Sequence, residues 1–382
     1  MAWEKIIKKT STSDWYRRSA ARTMGIGLDG TVYNISFREI DGYDQIFLYT
    51  STDNGDTWIE EQITFTSTNK ATGCLGIGFS DTLHVIWYED IDATRPTEIY
   101  YIERAGGVWS SPVLVNSRYH VIYPKMVMST ADACHIAYAG RDGATSLRVY
   151  YQNNSSGSWS DVETVSVSTA LTHLYTCIAW DPWDGEIGSI PHVYYTQLVS
   201  SFGPVRILQR ERDLAGNWSD EEIVLSDGYR NSIPCVVIDT DHTQHLLFLR
   251  DPYSGNETAY YMQKPRGGSW STPESLISSS NIGDLSLSID SNGTRHVVLT
   301  YVSNYVRHLW KAVGAGSWSS EQVYATTWVN YANTLWQGHP YWQPDTGCCF
   351  TVVTHTSGQG YQFWKKDYTP YIPVSGSYGY FM

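Results

Sequence analysis

Short apolar runs alternate with polar turn segments along the whole chain. The pattern is clearest between residues 233 and 277, where it predicts four strands, Ile233–Asp239, Gln244–Arg250, Thr258–Gln263 and Glu274–Ile277. Residues typical of turns, above all Asp, Asn, Ser and Gly, fill the intervals between these runs. The chain is therefore predicted to consist of short β-strands joined by tight turns.

The same order of strands recurs along the chain, and each unit has a tryptophan soon after a glycine in the turn before its last strand. These tryptophans recur at intervals of about 50 residues. They are Trp58, Trp109, Trp159, Trp218, Trp270 and Trp318. A fixed period of this length indicates a solenoid or a propeller. Because each period contains only strands and turns, the prediction is a β-propeller of four-stranded blades.

The two ends of the chain set the predicted number of blades. The last unit ends after its third strand, Tyr361–Lys365, and the segment Ala2–Ile7 resembles the missing fourth strand, with Trp3 in the repeated position. We therefore predict an all-β, seven-bladed β-propeller of four-stranded antiparallel blades, with the last blade closed by the N-terminal strand. Residues 1–368 are predicted to form this single domain, and residues 369–382 a Tyr/Gly-rich tail.

The segment from Ser51 to Trp58 fits one specific turn. Asp53 can accept hydrogen bonds from the turn backbone, Gly55 can supply a positive φ, and Trp58 can fold back as an apolar plug. This spacing resembles the Asp-box hairpin, or BNR repeat, of the sialidase-like β-propellers. In that family the turn is structural and does not mark the active site.

The resemblance to sialidases does not extend to their catalytic parts. Those enzymes use an arginine triad, a Tyr–Glu nucleophile pair and an acid/base Asp, with the first arginine in an Arg-Ile-Pro or Arg-Leu-Pro run. Here Arg22-Thr23-Met24 occupies that region. Arg18, Arg118 and Arg230 remain candidates for a triad, with Tyr229 or Tyr331 as a nucleophile.

Composition and charge narrow the classes of partner. The formal net charge of −13 and the absence of visible Lys/Arg patches argue against nucleic acid as a partner.

No apolar run has the ~20 residues of a membrane helix, and the N-terminus lacks the features of a signal peptide. Cys74, Cys177 and Cys235 lie in apolar strands and are predicted to be reduced, which fits folding in a cytoplasm. No cofactor is predicted.

The loops at one face of the propeller, around its axis, form the predicted ligand-binding mouth. Aromatic rings and planar polar groups there can stack on a sugar and hydrogen-bond to it. Because these residues differ from unit to unit, we expect one composite site, with a merely solvated rim as the alternative. The candidates are Arg18, Asn69, Arg118, Tyr119, His120, Tyr229, Arg230, Asn281, Asp284 and Trp336.

A column of histidines raises the question of a metal. Its members are one per unit, near the start of the second strand: His84, His135, His192, His245 and His296. Residues spread over separate blades are too far apart to share one ion. Each ring is instead predicted to bond a backbone or Asp-turn partner within its own blade, and no metal site is expected.

These observations lead to a predicted function in recognition. We expect a non-enzymatic recognition or adhesion propeller that binds a glycan or a host-surface ligand, and that is a virion component of the phage tail or capsid surface. Two alternatives remain open. One is a sialidase-like glycoside hydrolase, which needs opposed carboxylates at the mouth. The other is a structural assembly subunit, which needs a large apolar patch or a docked tail.

Overall fold

The structure is a computed structural model of the chain. It describes residues 4–8, 14–15, 23–53, 55–78, 80–89, 97–129, 131–141, 147–168, 172–181, 190–200, 203–251, 256–279, 282–290, 292–301, 305–325, 329–334, 346–354 and 361–369. Within these ranges the regular elements are β-strands, which form five hydrogen-bonded sheets.

The first part of the chain forms one sheet and contributes a strand to another. The strands of the first sheet are β2 (Asp14–Trp15), β3 (Met24–Ile26), β4 (Val32–Ile40), β5 (Tyr43–Ser51) and β6 (Ile59–Gln62). β1 (Glu4–Lys8) instead pairs with β29 (Tyr361–Thr369), the last strand of the chain, with Glu4 opposite Lys365.

Two eight-stranded sheets follow. The strands of the first are β7 (Lys70–Ile77), β8 (Leu83–Glu89), β9 (Thr97–Ala105), β10 (Val108–Trp109), β11 (Val113–Met128), β12 (Cys134–Arg141), β13 (Arg148–Asn153) and β14 (Glu163–Thr164). Those of the second are β15 (His173–Asp181), β16 (Ile190–Leu198), β17 (Val205–Glu211), β18 (Glu222–Leu225), β19 (Arg230–Ile238), β20 (Gln244–Asp251), β21 (Glu257–Lys264) and β22 (Glu274–Ser279).

Two four-stranded sheets complete the fold. One contains β23 (Ile282–Ile289), β24 (Arg295–Tyr301), β25 (Tyr305–Lys311) and β26 (Ser319–Ala325). The other contains β27 (Val329–Thr334), β28 (Thr346–Thr354), β29 and β1. Among the described residues the strand pairings are antiparallel, apart from a single parallel contact, Val205 opposite Arg230, which joins β17 to β19. The four strands predicted between residues 233 and 277 are confirmed as β19 to β22.

Burial falls from the inner strands to the outer strands of each unit. Nearly every residue of β8 and β12 is buried, which explains why their sequences are continuous apolar runs, because both faces of an inner sheet are covered. The outer strand β6 is exposed or half-buried along its length. The core therefore lies between the sheets and toward their inner strands.

The repeated tryptophans act between neighbouring units. Four of them pack edge-on against a tyrosine of the preceding unit, which lies on its third strand or, for Trp270, on its second strand. The ring-centroid distances are 5.2 Å for Trp159–Tyr101, 5.2 Å for Trp218–Tyr151, 6.3 Å for Trp270–Tyr194 and 5.2 Å for Trp318–Tyr261. The period of about 50 residues is thus the interval between successive tryptophans that pack one blade against its neighbour.

Charged groups reinforce these contacts. Glu163 of β14 accepts a hydrogen bond from the Trp218 indole at 2.8 Å and two from the Arg212 guanidinium at 2.8 and 2.9 Å. Lys264–Glu222 and Lys311–Glu274 are equivalent ties between later units, with N–O distances of 2.7 and 3.0 Å.

Replacement of Trp218 by Ala is expected to lower the free energy of unfolding by roughly 2–4 kcal/mol, because it removes a large, partly buried ring and leaves Glu163 without its indole donor. Denaturant unfolding measures this loss. Leu214→Ala is the matched control, since Leu214 lies in the same turn and is 67% exposed. Equal unfolding midpoints for the two variants would contradict the fastening role of the ring.

The turn from Ser51 to Trp58 has the predicted geometry. Asp53 accepts hydrogen bonds from the Thr57 amide at 2.8 Å and the Thr57 hydroxyl at 2.6 Å, which together with Ser51 lower the pKa of Asp53 to about 2. Gly55 has a φ of +93°, and its carbonyl accepts a hydrogen bond from the Trp58 indole at 2.9 Å.

The histidine column bonds within single units. His245 pairs with Asp239 of the preceding turn at 2.9 Å, as predicted, and also with Tyr261 at 2.5 Å. For His84 the hydrogen-bond partner is instead a tyrosine hydroxyl on the third strand, Tyr101 at 2.7 Å. Burial lowers the pKa of His84 to about 4, so the ring is neutral at pH 7.

Candidate functional site

Strands from several units begin and end at one common edge, here called the mouth. It is the edge at which β7, β15 and β19 begin and β8, β16 and β20 end, with the residue pairs Lys70–Glu89, His173–Gln197 and Arg230–Asp251. Backbone hydrogen bonds connect neighbouring units there, from His173 to Leu147 at 3.0 Å and from Val205 to Tyr229 at 2.9 Å.

The first strand of each unit is irregular close to the mouth. Register shifts interrupt β7, β15, β19, β23 and β27 within their first residues, and β11 between Tyr119 and Lys125 in its middle. Such bulges change the direction of side chains and are frequent beside active sites. Two coincide with non-glycine residues at positive φ: His120 at +54°, which is exposed, and Ile233 at +51°.

One sector of the mouth combines aromatic rings with charged groups. The Arg250 guanidinium lies between two tyrosines, 4.7 Å from the ring centre of Tyr229 and 4.1 Å from that of Tyr260. It also donates to the Asp227 carboxylate, which accepts a further hydrogen bond from Asn231 at 2.9 Å. Tyr229 is 43% exposed, so its ring presents an aromatic surface to solvent.

Two carboxyl groups and an arginine adjoin this sector. The Arg230 guanidinium lies 3.6 Å from the Asp251 carboxylate, and both side chains are well exposed. Glu257, at the start of β21, accepts a hydrogen bond from the Ile282 amide at 2.7 Å. Burial, together with the negative charge of Asp251, raises the pKa of Glu257 above its usual value. A carboxyl group of raised pKa beside an ionised carboxylate is an acid–base arrangement.

A run of basic residues continues from this sector along the mouth. Arg206 donates a hydrogen bond to the Gln197 side chain at 2.6 Å, and the Gln197 amide lies 2.9 Å from His173 Nε2. Burial lowers the pKa of His173, and the neighbouring Arg206 and Arg148 add to this effect. The His173 ring is therefore neutral and fixes the amide that holds Arg206.

The opposite part of the mouth contains a buried lysine. Lys70 Nζ donates to Thr66 and Thr68 and lies 3.5 Å from the Glu89 carboxylate. Burial lowers the pKa of Lys70. The neighbouring Asn69 side chain accepts the Asp44 amide at 3.2 Å. The polar groups of this cluster hydrogen-bond to one another, so we assign the cluster a structural role.

The structure brings some of the predicted site residues together. Tyr229 and Arg230 lie in the aromatic and charged sector. Arg118 stacks over the Tyr150 ring at 4.2 Å, between two units. The backbones of Tyr119 and Asp284 lie at the mouth, on β11 and β23. Arg18, Asn281 and Trp336 lie outside the described residues.

Sequence reasoning missed several residues of this site: Arg148, Arg206, Asp227, Arg250 and Glu257. Three of them share a feature that was available in the sequence, since Arg148, Arg206 and Glu257 lie at or next to the start of a third strand. A polar residue at that position follows a loop at the mouth and faces the same edge as the first-strand residues.

No group of three or more His, Cys, Asp or Glu side chains in the described part of the chain is arranged to hold a metal ion. No helix in the same residues is long and apolar enough to span a membrane.

No protein-family model matches this sequence, and none of the curated proteins matches it either. Solved structures do share its fold. A PL25 polysaccharide lyase, an ulvan lyase bound to -[GlcA(1-4)Rha3S]-, has a TM-score of 0.66 at 8% identity, with 94% of this chain and 95% of that chain covered. The α-L-arabinanase of Penicillium chrysogenum with arabinobiose has a TM-score of 0.53 at 10% identity, covering 95% and 97%.

A Hadza microbial sialidase, Hz136, is similar over 84% of this chain and 73% of that chain, with a TM-score of 0.50 at 11% identity. At such identities the likeness establishes the fold alone, a β-propeller. These structures nevertheless correct the prediction of non-enzymatic adhesion and the inclination against an enzyme. Lyases, arabinanases and a sialidase share this fold. The absence of the sialidase motif from this sequence therefore argues against sialidase chemistry but not against catalysis of another kind. They offer no support for a virion component.

Proposed function

We propose that this protein is an enzyme that cleaves glycans at the mouth, as a glycoside hydrolase. The observation that carries the proposal is the placement of Asp251 beside Arg230, next to the exposed Tyr229, with Glu257 close enough for the charge of Asp251 to raise its pKa. Most glycoside hydrolases use two carboxyl groups in different protonation states, one of which acts as the acid. The glycan-processing enzymes with the same fold support a glycan as the substrate.

Each side chain has a part in this mechanism. Glu257, whose pKa is raised by burial and by the charge of Asp251, is the proton donor to the glycosidic oxygen of the leaving group. Asp251 acts on the anomeric carbon, either through a water molecule or directly, and Arg230, 3.6 Å away, orients it. Tyr229 supports a sugar ring by stacking. These steps need only protein side chains and water.

The number of blades, the domain boundary and the Asp-box turn are also part of this proposal. The strand order supports seven blades: β3–β6, β7–β9 with the first half of β11, the second half of β11 with β12–β14, β15–β18, β19–β22, β23–β26, and β27–β29 with β1. Residues 1–368 would then be one domain and residues 369–382 a tail. The hydrogen bonds of Ser51, Asp53, Gly55 and Trp58 support an Asp-box turn.

The test is incubation of the full chain with a panel of neutral and acidic polysaccharides. We expect new reducing ends from at least one of them, without the ultraviolet absorbance of an unsaturated sugar. Unsaturated products would replace hydrolysis by elimination, the chemistry of a lyase. Absence of any cleavage product across the panel would overturn the proposal.

A further inference from the structure

We propose that the mouth binds an extended polyanionic glycan, one that carries carboxylate or sulfate groups on successive sugars. The inference names the substrate class of the site and rests on the function proposed above. Its basis is a row of arginines along the mouth, Arg141, Arg148, Arg206, Arg230 and Arg250. This row is called the arginine arc.

Three members of the arc have no carboxylate partner among the described residues. Arg230 and Arg250 pair with Asp251 and Asp227. Arg141, Arg148 and Arg206 form no ion pair in the described ranges, and the buried Nε of Arg141 has no hydrogen-bond acceptor there. In a chain of net charge −13, unneutralised cations side by side at one edge create a local field that favours an anion.

The arc follows neighbouring strands and is therefore long. From β12 the order at the mouth is β13, β15, β16, β17, β19 and β20, connected by the His173–Leu147 hydrogen bond and the Val205–Arg230 pairing. Six steps at a strand spacing of ~4.8 Å give a contour of about 29 Å. This length suits several consecutive sugars rather than one terminal residue, so we expect cleavage within chains.

The arc is also held in place. Arg206 is fixed by Gln197, which is in turn fixed by the buried His173. Arg250 is clamped between Tyr229 and Tyr260. Guanidinium groups whose positions are set before binding form charge-assisted hydrogen bonds with carboxylate or sulfate at little cost in entropy.

Stacking favours a glycan over a nucleic acid as the polyanion. Among the described residues beside the arc, the exposed aromatic surface is the ring of Tyr229, whereas single-stranded nucleic acids are held by several stacking rings along a basic groove.

The test is equilibrium binding of polygalacturonate, a sulfated polysaccharide, neutral dextran and single-stranded DNA to the Glu257→Gln variant, which keeps the ligands intact. We expect both acidic glycans to bind, more weakly as salt rises, and dextran and DNA to bind far more weakly. Arg148→Gln and Arg206→Gln should each lower the affinity for the acidic glycans about 10-fold.

Arg266→Gln is the matched control, because Arg266 lies in the turn between β21 and β22, at the opposite end of those strands. Dextran binding equal to that of the acidic glycans, or arc variants that bind like Arg266→Gln, would overturn the inference. Stronger binding of DNA would replace the glycan by a nucleic acid. Retained binding with no cleavage by the unaltered chain would reject the proposed catalysis but not the polyanion site.

Discussion

Replacement of Glu257 by Gln is expected to lower the rate of glycan cleavage by about 10²–10⁴-fold, the usual contribution of a general acid. Gln keeps the shape of the side chain and can still accept the Ile282 amide, so the fold and glycan binding should persist. Rates of reducing-end formation, measured beside binding of the same glycan, separate the loss of catalysis from a loss of affinity.

The pH profile distinguishes an acid from a structural carboxyl group. Cleavage should decline as pH rises through the pKa of Glu257, because the acid then loses its proton. Asp251→Asn removes the neighbouring negative charge that helps to raise this pKa, so the declining limb should move to lower pH in whatever activity remains. Glu274→Gln is the matched control, since Glu274 pairs with Lys311 in a tie between units. If Glu257→Gln retained the activity of Glu274→Gln, the assignment would be wrong.

Acidification is expected to destabilise the fold through two buried histidines. Burial lowers the pKa of His84 to about 4 and that of His135 to about 3. In the unfolded chain both rings take up a proton near pH 6.5, whereas the folded chain excludes it until much lower pH. Above pH 6.5 neither state is protonated and no penalty exists. Below it the penalty grows to about 3 kcal/mol for each histidine at pH 4.

His135→Gln removes one of these two titrations. The unfolding free energy of both proteins is measured by denaturant titration at several pH values. Between pH 6 and 4 the variant should lose less of it on acidification than the unaltered protein, by up to ~1.4 kcal/mol per pH unit. Trp218→Ala, which is destabilised without loss of a titrating group, should retain the original slope. An unchanged slope for His135→Gln would contradict the neutral, buried state of this ring.

The repeat architecture was predictable because it depends on local patterns. The period of Gly and Trp, the continuous apolar runs and the Ser51–Trp58 turn each involve residues close in sequence, and their geometry follows from strand and turn chemistry. The partners of the tryptophans were not predictable in the same way. Trp218 contacts Tyr151 of the preceding unit, and only the packing of whole sheets decides that pairing.

The site was harder to predict for a related reason. The sequence favours a strand from Ile233, and the residue before a proline normally has extended backbone. In the structure β19 begins at Arg230 and bulges between Ser232 and Cys235, with Ile233 at positive φ. The pairing of Arg230 with Asp251 depends on this register. Tyr229 and Arg230 were found from their position in the repeat, whereas Glu257 was not.

The most direct test of the account is the structure of the Glu257→Gln variant with an acidic oligosaccharide bound. We predict that the sugar chain lies along the mouth, with its anionic groups against Arg148, Arg206 and Arg230 and a glycosidic oxygen within hydrogen-bonding distance of residue 257. A sugar chain bound elsewhere, on the outer strands or at the opposite end of the sheets, would contradict both the catalytic assignment and the polyanion site.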